Sequence, residues 1–309
     1  MLNGFKKALV LSLVALLAAC GGGDDNDPGT ITEVAKSDTR LSILGEAVTA
    51  AELADTLSGP GPYTVFAPTN DAFAALLGEL GVTKEQLLAN KPLLTAVLKY
   101  HVLGAKVTQA QVPLGKAITP LEGGVFKIDL VDSALRITDG RNRSSRIVQT
   151  DIIASNGVIH LIDKVLLPAD KTLVQTALGT PSLSILVEAV TAAGLVDTLN
   201  GAGPFTVFAP TNEAFAALLG ELGVTKDQLL ANKPLLTQVL TYHVAPGRVL
   251  KAEVPVNTPI KTVQGGTFTV TPALTITDQR GRSSRIVATD VFASNGVLHV
   301  IDKVILPAP

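Results

Sequence analysis

The sequence predicts two tandem α+β domains, and three observations carry that reading. A unit of roughly 140 residues is written twice, helix signals fill the first half of each unit while strand signals fill the second, and the composition is that of a folded chain. Leu76 to Thr95 recurs as Leu218 to Thr237 with one change, Glu85 to Asp227. Phe66 and His101 return 142 positions later as Phe208 and His243, whereas Asn156 and His160 return after 139 as Asn295 and His299. Three residues are therefore missing from the second unit between the equivalents of Gly123-Gly124 and Leu135. There VFKIDLVDSAL contracts to TFTVTPAL, a shortened strand or hairpin.

With 309 residues, 47% hydrophobic and 17% charged, the chain excludes disorder over most of its length. Its 25 basic and 27 acidic side chains argue against a nucleic-acid partner, which requires a strongly basic face. A single cysteine excludes both a disulfide framework and a multi-thiolate metal site.

Lys6 and Lys7 precede a mostly apolar run from Ala8 to Ala19. At about 1.5 Å per residue the run reaches roughly 18 Å, short of a ~30 Å hydrocarbon core. An exported, cleaved signal peptide over residues 1–19 fits better than a permanent span. Leu17-Ala18-Ala19-Cys20 resembles the lipobox of bacterial lipoproteins. That resemblance implies cleavage before Cys20, acylation of its thiol and new amine, and a membrane partner through the lipid. Gly21 after the cysteine, by the same resemblance, implies sorting to an outer membrane. An ordinary signal peptide that contains a cysteine is the other reading. Residues 20–30 read as a flexible tether, with calcium at Asp24, Asp25 and Asp27 a weaker alternative because no EF-hand spacing surrounds them.

Within the first unit the elements follow in order. Tyr63 to Phe66 is a β-branched and aromatic strand that Pro68 stops. Thr69 or Asn70 caps a helix that turns Phe73, Leu76 and Leu77 inward. Thr83 and Gln86 have the spacing of a capping box, and Pro92 suits a first helical turn. Leu94, Val97, Leu98 and His101 then share one helix face. Ile147 to Ala154 and Val158 to Leu166 are apolar strands joined through Ser155-Asn156-Gly157. Gly123-Gly124 and Gly265-Gly266 read as turns.

Thr64 to Asn70 (TVFAPTN), Tyr100-His101, Asn156 to Asp163 (NGVIHLID) and Val165 to Pro168 resemble the two conserved blocks and central Tyr-His motif of fasciclin (FAS1) domains. The second unit repeats them at Thr206 to Asn212, Tyr242-His243, Asn295 to Asp302 and Val304 to Pro307. The resemblance implies FAS1 domains over residues 31–168 and 169–309, each a β-sheet wedge with packed helices. It also implies a secreted or surface-anchored adhesion role. The Tyr-His region of animal members is implicated in integrin binding, so Tyr100, His101, Tyr242 and His243 are the candidate partner-binding residues.

The histidines allow a second reading. His160 beside Asp163 has the chemistry of a metal ligand or acid–base pair, but its alternation with Val158 and Ile162 favours packing in a strand. His101 ends a helix, where the dipole favours a cation and the last carbonyls need donors. Arg141, Arg143 and Arg146 recur as Arg280, Arg282 and Arg285. They form either an anion site for acidic sugars, sulfate or phosphate, or a solvated hairpin tip paired to Asp139 and Asp278. No nucleophile elbow, Walker loop or dinucleotide fingerprint is present, so neither an enzyme nor a cofactor is expected. The expected function is a lipid-anchored cell-envelope protein that binds extracellular protein or glycan partners. The alternative is a periplasmic protein that binds a small molecule or envelope component.

Overall fold

The structure, a computed structural model, describes residues 28–309. The readings on the signal peptide, Cys20, Asp24, Asp25 and Asp27 lie outside the described residues.

In the first domain the helices are α1 (Ile31–Ser37), α2 (Ser42–Ala50), α3 (Ala54–Ser58), α4 (Asn70–Leu80), α5 (Lys84–Ala89) and α6 (Lys91–Tyr100). The strands are β1 (Tyr63–Pro68), β2 (Val102–Leu103), β3 (Lys127–Val131), β4 (Ala134–Thr138), β5 (Ser144–Ala154) and β6 (Gly157–Ile162). They form one sheet in the order β2-β1-β6-β5-β4-β3, antiparallel except where β1 meets β6. The parallel pair is closed only after α4, α5, α6, β2, the β3–β4 hairpin and β5 have intervened, which makes the domain α+β rather than a chain of βαβ units.

Local signals account for these elements. The Thr69 hydroxyl caps α4 by accepting from the Ala72 N–H at 3.3 Å, and Gly81 ends it in the left-handed region at φ 64°. Thr83 and Gln86 complete the capping box of α5. Two boundaries differ from the sequence reading. β1 continues through Pro68, paired with Ile162, because a proline at a strand's last residue removes no further ladder bond. β6 ends at Ile162 rather than Leu166, because beyond it the backbone bonds side chains: Leu166 N–H donates to His101 and Leu167 N–H to Asp139.

The second domain repeats the plan with α7 (Leu173–Leu178), α8 (Ser184–Ala193), α9 (Val196–Leu199), α10 (Asn212–Leu222), α11 (Lys226–Ala231) and α12 (Lys233–Tyr242). Its strands are β7 (Phe205–Pro210), β8 (Val244–Pro246), β9 (Ile260–Lys261), β10 (Thr267–Val270), β11 (Thr275–Thr277), β12 (Ser283–Ala293) and β13 (Gly296–Ile301). The missing residues shorten a hairpin as expected. β3 and β4 align from Lys127–Thr138 to Val131–Ala134, whereas β10 and β11 align only at Thr269–Thr277 and Val270–Ile276.

Each domain has two cores, one on either side of its sheet. Under the helices of the first domain lie Phe73, Leu76, Leu94, Ile159 and Leu161. On the other side Phe66, Tyr100, Phe126, Ile128 and Ile137 pack together, with Phe66 and Phe126 edge to face at 5.4 Å. Between these layers Asn156 acts as a clamp. Its Oδ1 accepts from Ile31 N–H at 2.9 Å, and its Nδ2 donates to the carbonyls of Leu57 and Gly59, each at 2.8 Å. Asn295 repeats all three bonds with Leu173, Leu199 and Gly201. Gly157 beside it is obligatory, since a Cβ there would sit 2.2 Å from the Tyr63 carbonyl oxygen.

The domains meet through non-equivalent faces. Val125 of the first domain packs with Leu250, Phe292 and Val297 of the second in a small separate core. Asn142, at φ 62° in the β4–β5 turn, accepts from Phe292 N–H at 2.6 Å and donates to its carbonyl at 3.0 Å. Lys127 bonds Asp290 at 2.7 Å, and the carboxylate is 2% exposed. Burial opposes the charge on Lys127, but the bonds and charges of Asp290 and Asp129 outweigh it and raise its pKa. Lys127, Asn142 and Phe292 are not duplicated, although Asp290 and Val297 match Asp151 and Val158 of the first domain. Lys127 corresponds to Thr269 and Asn142 to Gly281, while Phe292 corresponds to Ile153, which is 45% exposed.

Two outcomes follow for stability. Asn156→Ala strands three backbone groups, two of them in buried bonds, and we expect a loss of about 3 kcal/mol in urea unfolding, with Asn295→Ala costing a similar amount. Phe292→Ala should cost about 3 kcal/mol by emptying the junction core. Ile153→Ala, at the equivalent exposed site, should cost no more than ~0.5 kcal/mol. Equal costs for the last pair would contradict the junction described above.

Candidate functional site

The Tyr-His pairs end α6 and α12 and point inward. Tyr100, His101, Tyr242 and His243 are at most 1% exposed. The Tyr100 hydroxyl donates to the Val125 carbonyl at 2.7 Å and its ring meets Phe126 edge to face at 5.7 Å. Tyr242 makes the same bond to Thr267 and also accepts from Gln279 N–H at 3.2 Å. Burial raises the pKa of both phenols, foremost among the causes.

His101 answers two backbone needs at once. Its Nδ1 bonds the Val97 carbonyl at 2.7 Å, one of the last carbonyls of α6, and its Nε2 accepts the Leu166 N–H at 2.8 Å. An acceptor at Nε2 fixes the tautomer, with the proton on Nδ1. Burial accordingly lowers its pKa to about 4. His243 matches it through Val239 and Ile305, at 2.8 and 3.1 Å, and is likewise lowered to about 4 by burial. The expectation of a cation at this helix end is therefore corrected, since the imidazole is neutral and supplies a neutral donor. The side chains of the four residues expected to contact a partner, Tyr100, His101, Tyr242 and His243, face the cores and the sheet.

His160 and His299 are equally internal. His160 Nε2 bonds the Val107 carbonyl at 2.9 Å, Nδ1 accepts from Asp151 N–H at 3.2 Å, and the ring lies 5.5 Å from Phe66. Asp163 turns elsewhere, accepting from Arg146 N–H at 2.7 Å and the Ser145 hydroxyl at 3.1 Å. The His160–Asp163 pairing is thus not formed. Among the described residues, no three His, Cys, Asp or Glu side chains gather as a metal site would require.

The arginines diverge rather than converge. Arg141 pairs with Asp170 at 3.0 Å, while Arg143 reaches Asp139, Glu79 and the Val165 carbonyl, and Arg146 is exposed. In the second domain Arg280 bonds the Pro307 carbonyl, Arg282 pairs with Glu221, and Arg285 with Asp302. The hub of each turn is the aspartate. Asp139 is buried and accepts from the N–H groups of Arg141, Arg143 and Leu167, and Asp278 repeats this with Arg280, Arg282 and Leu306. Of the two readings of this motif, the geometry matches the hairpin tip tied to Asp139 and Asp278.

Sequence reasoning missed Asn156 and Asn295 as clamps, although their return before an invariant glycine in both units was a usable signal. It also missed Lys127, Asn142, Asp290 and Phe292, whose signal is the opposite one: at three of these four positions the two units differ.

Residues 39–168 and 181–307 each match the family model described as "Fasciclin domain". The chain is 29% identical over 278 residues to transforming growth factor-beta-induced protein ig-h3 of Sus scrofa, covering 86% of this chain. It is 28% identical over 261 residues to human periostin, covering 83% of this chain. It spans 39% and 29% of the lengths of those two relatives. A bacterial relative, protein sll1483 of Synechocystis, is 45% identical over 140 residues, which cover 45% of this chain and 73% of that protein. Among solved structures, a FAS1 domain pair from the insect cell adhesion molecule Fasciclin I aligns over 86% of this chain and 97% of that one, at 18% identity and a TM-score of 0.44.

The two neutral imidazoles make stability depend on pH in a defined window. The unfolded chain takes up protons near pH 6.5, where the native state refuses them until about pH 4. Stability is fully present above pH 6.5 and declines as pH falls towards 4. We expect a loss of about 3 kcal/mol per imidazole across the window, read as unfolding free energy from denaturant titrations at successive pH values. A flat profile between pH 6.5 and 4 would contradict the buried neutral assignment.

Proposed function

We propose that this chain, which belongs to the fasciclin family, is a lipid-anchored cell-envelope protein that binds protein or glycan partners through its outer surfaces. The family's domains are non-catalytic modules of adhesion and protein interaction. The observation that carries the proposal is that both units keep the same fasciclin framework while their motif residues are enclosed. What remains free to meet a partner is the exterior of a two-domain unit joined at a specific contact. The domains are taken as residues 31–168 and 169–309, following the tether of residues 20–30.

Within each single domain the small apolar cavity favours surface binding over a solute carrier. The apolar cavity between the first helices and the sheet is about 30 Å³ in each domain, lined by Leu44, Val65 and Leu98 in one and Leu186, Val207 and Leu240 in the other. Such a volume holds little more than a water and is far below the several hundred Å³ typical of ligand pockets. Two linked domains also raise the effective concentration of the second at a repeated ligand.

Anchoring rests on the lipobox-like Leu17 to Cys20, and Gly21 supports the outer membrane as the destination. Among the described residues no helix is long and apolar enough to cross a membrane. In a diderm bacterium the full chain should fractionate with membranes and carry an acylated Cys20 by mass spectrometry, while Cys20→Ser should move it to the soluble fraction. For the binding role, the full chain should show saturable binding to immobilised matrix proteins or envelope glycans. Retention of soluble metabolites alone would overturn the adhesive reading.

A further inference from the structure

A larger cavity lies between the domains, about 300 Å³, walled by Glu122, Gly124 and Pro168 on one side and Arg248 and Phe292 on the other. It carries two opposite charges that do not meet. Arg248 is half-buried, has no ion-pair partner among the described residues, and leaves its Nε buried without a hydrogen bond. Burial without a counter-charge lowers its pKa. Glu122 uses one carboxylate oxygen, Oε2, to accept from Gly124 N–H at 2.8 Å. Gly124 permits this fold-back, since a Cβ there would sit 2.6 Å from that oxygen.

The repeat supplies an internal comparison. In the second domain Gln264 makes the same bond to Gly266 N–H at 2.8 Å, so the turn needs an acceptor but not a charge. In the first domain the position of Arg248 is held by Lys106, which is exposed. The carboxylate and the enclosed guanidinium thus occur only in the copies that face the shared cavity.

From this arrangement we infer that the cavity between the domains binds a free α-amino acid, its carboxylate on Arg248 and its ammonium on Glu122. A guanidinium presents forked donors to a carboxylate, and a carboxylate accepts from an ammonium. A zwitterion neutralises both walls without adding net charge, which a simple anion or cation does not. Because the two groups belong to different domains, the ligand bridges the junction and stabilises the pair by linkage. This inference goes beyond the surface-binding proposal and does not depend on it.

The test is isothermal titration and thermal unfolding of the full chain with the standard L-α-amino acids, one at a time, with acetate and ethylammonium as single-charge controls. At least one amino acid should bind saturably at millimolar concentration or below and raise the melting temperature, while the controls do neither. Arg248→Gln and Glu122→Gln should each weaken that binding about tenfold or more. Glu122→Gln should keep the fold, as Gln264 does in the second domain. Absence of binding by every amino acid, binding unchanged in both variants, or acetate binding as tightly as the amino acid would each overturn the inference.

Discussion

Irregular chain between a helical layer and a sheet places backbone N–H groups where no ladder can accept them, and everything else in this protein depends on how they are satisfied. Three side chains do so in each domain. Asn156 takes the N–H that opens α1, His101 takes that of Leu166, and Asp139 takes those of Arg141, Arg143 and Leu167. Asn295, His243 and Asp278 repeat the arrangement. Each stranded donor would cost about 1–3 kcal/mol, a large part of a domain's net stability. The polar residues shared by both units are therefore held by folding first.

That division assigns different work to repeated and unrepeated residues. Those common to both units build the interior. Those that differ build the junction, where Lys127, Asn142 and Phe292 replace Thr269, Gly281 and Ile153. A contact between unlike faces of like domains would propagate if every face were duplicated. Here Lys127, Asn142 and Phe292 each exist once, so the junction closes on a single pair.

Much of the fold was legible in the sequence. Thr69, Thr83 and Gln86 act as caps because their spacing engages local backbone, and local geometry is what sequence spacing encodes. The shortened β10–β11 hairpin was visible as a change of offset. The end of β6 was not, because it depends on His101 and Asp139, which are remote in sequence. The candidate site was less legible for the same reason. Tyr100-His101 and the Arg141 to Arg146 turn carry polar chemistry that suits recognition, and only their burial and partners show it directed at the chain's own backbone.

The central claim is that the Tyr-His step holds the fold together from inside. Amide hydrogen exchange at Leu166 and Ile305 tests it most directly, because both lie outside any strand and donate to an imidazole Nε2. The account predicts protection equal to that of the central strands β6 and β13, with opening only on unfolding of the domain. Exchange at the rate of a solvated loop would show that these imidazoles are free, and would contradict it.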